Sequence, residues 1–183
     1  MAIINLFIKL LKIILGLVIF LVVLSVLLTR FGDDADDLAT DAEMIKTFQT
    51  QKPQYEQLKQ MLLADAELYR LSLTDFSPEG AISAERFDAY QKIFTSLDLP
   101  ERFWVHKEDT YPEQHPNASH PALRFHVSFH WIFRGGTTKG YLFTTTPPTP
   151  LENDLDVYRD KVDNYLVYRQ LEESWYIFAD HVD

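Results

Sequence analysis

Six histidines stand among the 183 residues. Two of them, His126 and His130, flank Ser128 in the segment HVSFH, and Asp180 lies near the end of the chain. Serine, histidine and aspartate are the residue types of a nucleophilic triad, in which the base must meet the nucleophile at about 3 Å. The segment alternates as a strand, and side chains at i and i+2 on a strand project in parallel roughly 6.5 Å apart. No G-x-S-x-G elbow lifts the serine onto a sharp turn. The same rise separates His126 from His130 by roughly 13 Å, too far for one ion. His106 or His181 would have to join from a neighbouring strand, while His115 and His120 sit in the loop HPNASHP. The residues therefore favour a non-catalytic domain with no metal and no cofactor.

Other chemistries fall away by composition. There is no cysteine, which excludes disulfides, thiolate catalysis and cysteine-ligated metals. With six glycines the chain has neither a dinucleotide fingerprint nor a P-loop. Adjacent acids such as Glu108 with Asp109, Glu172 with Glu173, and Asp154 near Asp156 read as solvated loops. Asp33, Asp34, Asp36 and Asp37 lack the alternate spacing and the glycine of a calcium loop. Pro147 and Pro150 spell P-x-x-P, read here as a stiff crossover, and Asn117 to Ser119 forms a chance sequon. All 27 acidic residues follow Arg30, so residues 31–183 carry 14 − 27 = −13. Such a surface repels phosphates, and nucleic acid is excluded as a partner.

The most strongly patterned element is N-terminal. Ile13 to Thr29 carries no charge and, as a helix, spans roughly 26 Å. Counting back to Ile3, with Lys9 and Lys12 snorkelling, lengthens it enough to cross a bilayer. No small-x-small cleavage site follows, which argues against a removed signal peptide. Residues 1–30 are thus expected to be a cytoplasmic stub and an anchor helix embedded through residues 3–29. Lys9 and Lys12 before the span against Arg30 after it favour a cytoplasmic N-terminus and an exported, periplasmic domain at the inner membrane. Residues 31–40 read as an acidic linker, and 41–183 as one globular α+β domain.

Within that domain an apolar stripe from Ala42 to Asp65 predicts a helix broken in two at Pro53. Ser83 caps a second, with Phe87, Tyr90, Phe94 and Leu97 on one face before Pro100. Thr149, Pro150 and Glu152 form a capping-box pattern for a third helix over 150–161. LYRLSLTDF and Phe103 to Lys107 read as strands, and the end of the chain as a hairpin, NYLVYRQL with SWYIFADHV. Phe125, Val127, Phe129, Trp131 and Phe133 alternate with His126, Ser128, His130 and Arg134, and Gly135 with Gly136 predicts a two-residue turn. With Arg134 opposite Thr137, Trp131 would cover Gly140. The expectation is four to six antiparallel strands with about three helices.

That register sets His126, Ser128, His130, Tyr141 and Phe143 on one amphipathic face, with Arg134 and Lys139 beside it. Aromatic residues and arginine dominate protein interfaces, so this is the expected interaction face. The helix FQTQKPQYEQLKQMLLAD, the motif Lys139-Gly140-Tyr141 and the closing Trp175-Tyr176-Ile177, behind an apolar N-terminus, resemble small uncharacterised bacterial membrane-anchored proteins. That resemblance implies an envelope setting and no activity. Helices on an antiparallel sheet are similar in architecture to cystatin-like and NTF2-like folds, an analogy without chemistry. The expected function is binding of a partner protein, as an envelope accessory or immunity-type factor. The alternative is a membrane-tethered hydrolase or small-ligand binder with a pocket around His126, Ser128 and His130.

Overall fold

The structure is a computed structural model that describes residues 17–21, 38–100, 102–107, 122–132, 135–161 and 163–183. The chain divides into two compact units, 1–36 and 37–183. Of the first unit, residues 17–21 are described; they are helical and exposed. Among the described residues no helix is long and apolar enough to cross a membrane. Most of the expected span over 3–29, and residues 31–37 of the expected acidic linker, lie outside the described residues.

The second unit is a mixed helix and sheet domain. In chain order it contains α1 (Asp41–Ala64), β1 (Arg70–Ser72), β2 (Phe76–Ser77), α2 (Ala84–Leu97), β3 (Trp104–Lys107), β4 (Leu123–Ile132) and β5 (Gly135–Phe143). A 3-10 turn (Asp156–Tyr158) and the final strands β6 (Tyr165–Glu172) and β7 (Trp175–Val182) follow. The seven strands form one antiparallel sheet in the order β2-β1-β3-β4-β5-β7-β6. This exceeds the expected four to six because LYRLSLTDF folds back on itself. The Ser72 hydroxyl accepts from the backbone amides of Thr74 (3.3 Å) and Asp75 (3.0 Å), making the turn that separates β1 from β2.

Both α-helices start on the caps that their sequences supply. Thr40 Oγ1 accepts from the Glu43 amide at 3.3 Å while Glu43 Oε2 accepts from the Thr40 amide at 2.8 Å, a reciprocal capping box. Ser83 Oγ accepts from the Arg86 amide at 3.2 Å, as expected. Contrary to the expectation of two pieces, α1 runs unbroken through Pro53. Phe48 before the proline and Tyr55 after it pack in the same aromatic core against Tyr141 and Trp175, and that shared face holds the helix together across the missing amide.

The expected helix over 150–161 does not form. Its backbone groups are engaged elsewhere: the Tyr168 amide donates to Pro150 O (3.1 Å), the Glu152 amide to Tyr168 O (2.7 Å), and the Leu155 amide to Asp41 Oδ2 (2.8 Å). The edge of β6 and a buried carboxylate thus take the partners that a helix would need. Only the 3-10 turn remains.

The β4–β5 hairpin forms, but in a different register. Ile132 pairs with Gly135 and His130 with Thr137, so the two glycines lie inside β5, and the connection falls at Phe133 and Arg134, outside the described residues. A β-bulge between His126 and Ser128 sets Val127 and Ser128 against Lys139. Before the bulge, Phe125 pairs with Tyr141 and His126 with Gly140. An aromatic ring does cover Gly140, but it belongs to Phe178 rather than Trp131.

Phe48, Tyr55, Leu58, Tyr90, Val105, Phe125, Tyr141, Trp175 and Ile177 form the core between the helices and one face of the sheet. A smaller cluster of Ala122, Leu142, Tyr168, Tyr176 and Phe178 sits on the opposite face. Gly140 sits where β5 is crowded by its two neighbours in the sheet: a Cβ there would stand 1.9 Å from the Phe125 carbonyl oxygen on β4 and 2.6 Å from the Phe178 ring on β7. Gly140→Ala should therefore lower stability by about 3 kcal/mol in urea unfolding, whereas Gly80→Ala, whose Cβ would meet nothing within 4 Å, should lose less despite its positive φ.

Candidate functional site

The bulge at Val127 divides the expected interaction face. Alternation would put His126, Ser128 and His130 side by side; the extra residue reverses the parity, so Ser128 and His130 fall on the helix side and His126 on the other. Ser128 Oγ accepts a hydrogen bond from the Ala39 amide at 2.9 Å, just ahead of α1. The Tyr141 hydroxyl donates to Met44 O at 2.8 Å, and its burial pushes the phenol well above its ordinary range. Phe143 lies under the Lys59 ammonium, 4.5 Å from the ring centre, and Lys59 also pairs with Glu56. Arg134 lies outside the described residues. His126 and Ser128, on opposite faces of the sheet, cannot exchange a proton directly, whereas His130 stays on the same side as Ser128.

Lys139 stands at the centre of the helix side, and it is 1% exposed. Its ammonium donates to Asp41 Oδ1 at 2.7 Å and to Asp156 Oδ1 at 2.8 Å. Asp41 Oδ2 also accepts from Arg169 Nη1 and from the Leu155 amide, both at 2.8 Å. Burial alone would raise the Asp41 pKa, but the hydrogen bonds from Lys139, Leu155 and Arg169 together bring it below the usual carboxylate value. The Asp41 amide in turn donates to both Asp156 carboxylate oxygens at 3.1 Å, and Arg159 reaches the Leu38 carbonyl. Oxygens of Asp41, Asp154 and Asp156 lie within 4.8 Å of one another. That donor set suits a hard cation in outline, yet the Lys139 ammonium already pairs with two of its three carboxylates. The sequence carried a signal for this site: Lys139 is the one charged residue of the strand Gly135–Phe143, and a charge in the middle of a strand needs a partner if it is buried. It did not carry the identity of that partner, 98 positions away.

On the opposite face the rings of Trp104 and His126 stack at 4.2 Å between centres, His106 and His126 at 5.1 Å, and Trp104 with Phe129 at 5.0 Å. Phe178 meets His126 edge-on at 5.0 Å. Arg124 lies over the Phe178 ring, with Nη1 3.4 Å from Asp180 and Nη2 donating to the Tyr168 hydroxyl at 3.4 Å. His126 is 5% exposed, and among the described residues neither of its ring nitrogens has a hydrogen-bond partner. Burial, then His106 and Arg124, pushes its pKa well below the ordinary value; burial and Arg124 bring His106 down to about 4. Burial thus favours the neutral form of both histidines in this stack of rings.

Two outcomes follow. Lys139→Met leaves the buried Asp41 carboxylate with Arg169 and the Leu155 amide but without its ammonium, beside the half-exposed Asp156, and should cost about 3 kcal/mol in urea unfolding at neutral pH. Because His106 is held neutral below its unfolded value of 6.5, the unfolded state binds the proton first. The stability tied to this group is complete above that value and is lost as pH falls towards about 4. That loss is on the order of 3 kcal/mol. His106→Phe should flatten the fall in unfolding free energy between those pH values.

No protein-family model, no curated protein and no solved structure matches this chain, so its function rests on the geometry of these residues.

Proposed function

We propose that this chain is a membrane-tethered, non-catalytic domain that binds a basic partner protein, as an envelope accessory factor or an immunity protein against an exported toxin. The observation that carries this reading is the placement of charge. Residues 31–183 hold 27 acidic and 14 basic side chains. Within the fold Lys52, Lys59, Arg86, Arg124, Lys139 and Arg169 pair with carboxylates, and Lys107 donates to the Asp65 carbonyl at 2.8 Å. Glu67, Glu79, Glu85, Asp88, Asp98, Asp160 and Glu173 are exposed. Among the described residues exposed carboxylates outnumber exposed cations, which include Lys46, Lys92, Arg102 and Lys161. The resulting field attracts basic proteins, speeds their encounter and turns away phosphate-rich partners.

The anchor belongs to the same proposal. Leu17, Val18, Ile19, Phe20 and Leu21 are each between 50% and 62% exposed. Five successive positions cover the whole circumference of a helix, and an all-round apolar helix suits lipid. We place residues 3–29 in the inner membrane with the acidic domain on the periplasmic side, following the positive-inside bias of Lys9 and Lys12. We read the helices on one side of an antiparallel sheet as cystatin-like or NTF2-like in architecture, without any chemistry attached.

A reporter active only outside the cytoplasm, fused after Asp183, should report export. Photo-cross-linking from position 88 in intact cells should yield an adduct with a protein of net positive charge. Binding of that purified partner should weaken about tenfold as salt rises from roughly 0.05 to 0.5 M. A cytoplasmic reporter signal would overturn the placement, and salt-independent binding would overturn the electrostatic basis.

A further inference from the structure

Leu73, Gln91, Phe94, Thr95, Asp98 and Leu99 line an open groove of about 360 Å³ between α2 and the turn after β1. Its lining is mixed, with Leu73, Phe94 and Leu99 beside Gln91, Thr95 and Asp98, and the Gln91 amide ties one wall to the other by donating to Leu73 O at 3.4 Å. Its end is anionic. Helix α2 has no basic residue in its last turn, and it closes on Asp98 in the left-handed conformation (φ 48°). The carbonyl end of a helix favours a cation. Here it carries an exposed carboxylate, for which the described residues supply no ion pair; the Leu97 carbonyl receives only the neutral Gln51 amide at 3.1 Å. A negative charge kept at the negative end of a helix weakens the fold slightly, which makes sense if a cation arrives from outside.

We propose that this groove docks a segment of the partner protein in which a lysine or arginine stands beside a large apolar side chain. The apolar group covers Phe94 and Leu99, and the cation meets Asp98 and the end of α2. The volume suits one or two side chains rather than a whole helix. The inference rests on the partner-binding reading above and names the chemistry that this part of the surface recognises.

The full chain, isotope-labelled in detergent micelles, is titrated with a capped peptide of one leucine between two arginines and followed by amide chemical shifts. Saturable shifts confined to residues 73–75 and 91–99 are expected. Asp98→Asn, which keeps a residue tolerant of the left-handed conformation, should weaken binding roughly three- to fivefold. Asp160→Asn, beyond the opposite edge of the sheet, should leave it unchanged. Shifts spread over all exposed carboxylates, or binding indifferent to Asp98→Asn, would overturn the proposal. So would concentration-dependent shifts at the groove without peptide, which assign it to a second copy of the chain. Partner capture from position 88 together with no peptide binding to the unsubstituted chain would sink the groove and leave the partner reading standing. Peptide binding that is saturable in the unsubstituted chain and weakened in Asp98→Asn supports the groove whatever that cross-linking yields.

Discussion

A single buried ammonium organises this domain. Lys139 joins the middle of the sheet to the start of α1 through Asp41 and to the 154–159 segment through Asp156. The two carboxylates, one buried and one half-exposed, would otherwise repel each other, and the lysine alone would not tolerate such burial. Each charge is acceptable only because the others are in place. The group is therefore a specificity device more than a source of net stability: it admits one placement of α1 and one path for the segment that follows Pro150. The helix expected there gives way to a 3-10 turn because its amides are already bound to Asp41 and to the edge of β6.

The second constraint is the bulge at Val127. It changes which atoms share a surface without moving any residue far. His126 is left among Trp104, His106 and Phe178, whereas Ser128 turns towards α1. The outer face becomes a stack of rings whose histidines stay neutral, and the inner face keeps the ion-paired centre. The catalytic-looking cluster HVSFH is thereby taken apart by one residue of backbone.

Much of the architecture could be read in the residues, and the failures share a cause. Ser83 and the Phe87, Tyr90, Phe94, Leu97 stripe specified α2 because cap and periodicity are local. The terminal hairpin was equally plain. What could not be read was anything decided by a distant partner: continuity of α1 through Pro53, which depends on Tyr141 and Trp175; the missing third helix, which depends on Asp41 and Tyr168; and the β4–β5 register. For the last, Gly135 and Gly136 gave a strong turn signal, yet Gly140 requires the close approach of Phe178 and the Phe125 carbonyl. Of the expected interaction face, Lys139, Tyr141, Phe143 and Ser128 turned out to lie beneath α1. An alternating pattern cannot announce a bulge, so no inspection of side-chain types would have separated them from His126.

The position of the ion-paired centre also governs how the domain meets mechanical load. Leu38, Ala39 and Asp41 are held by Arg159, Ser128 and Lys139, the last two on β4 and β5 in the middle of the sheet. A pull transmitted along the chain from the side of residue 37 meets these bonds first. It enters the most deeply embedded strands instead of unzipping an edge strand or unwinding the first turn of α1, the places where local opening is easiest.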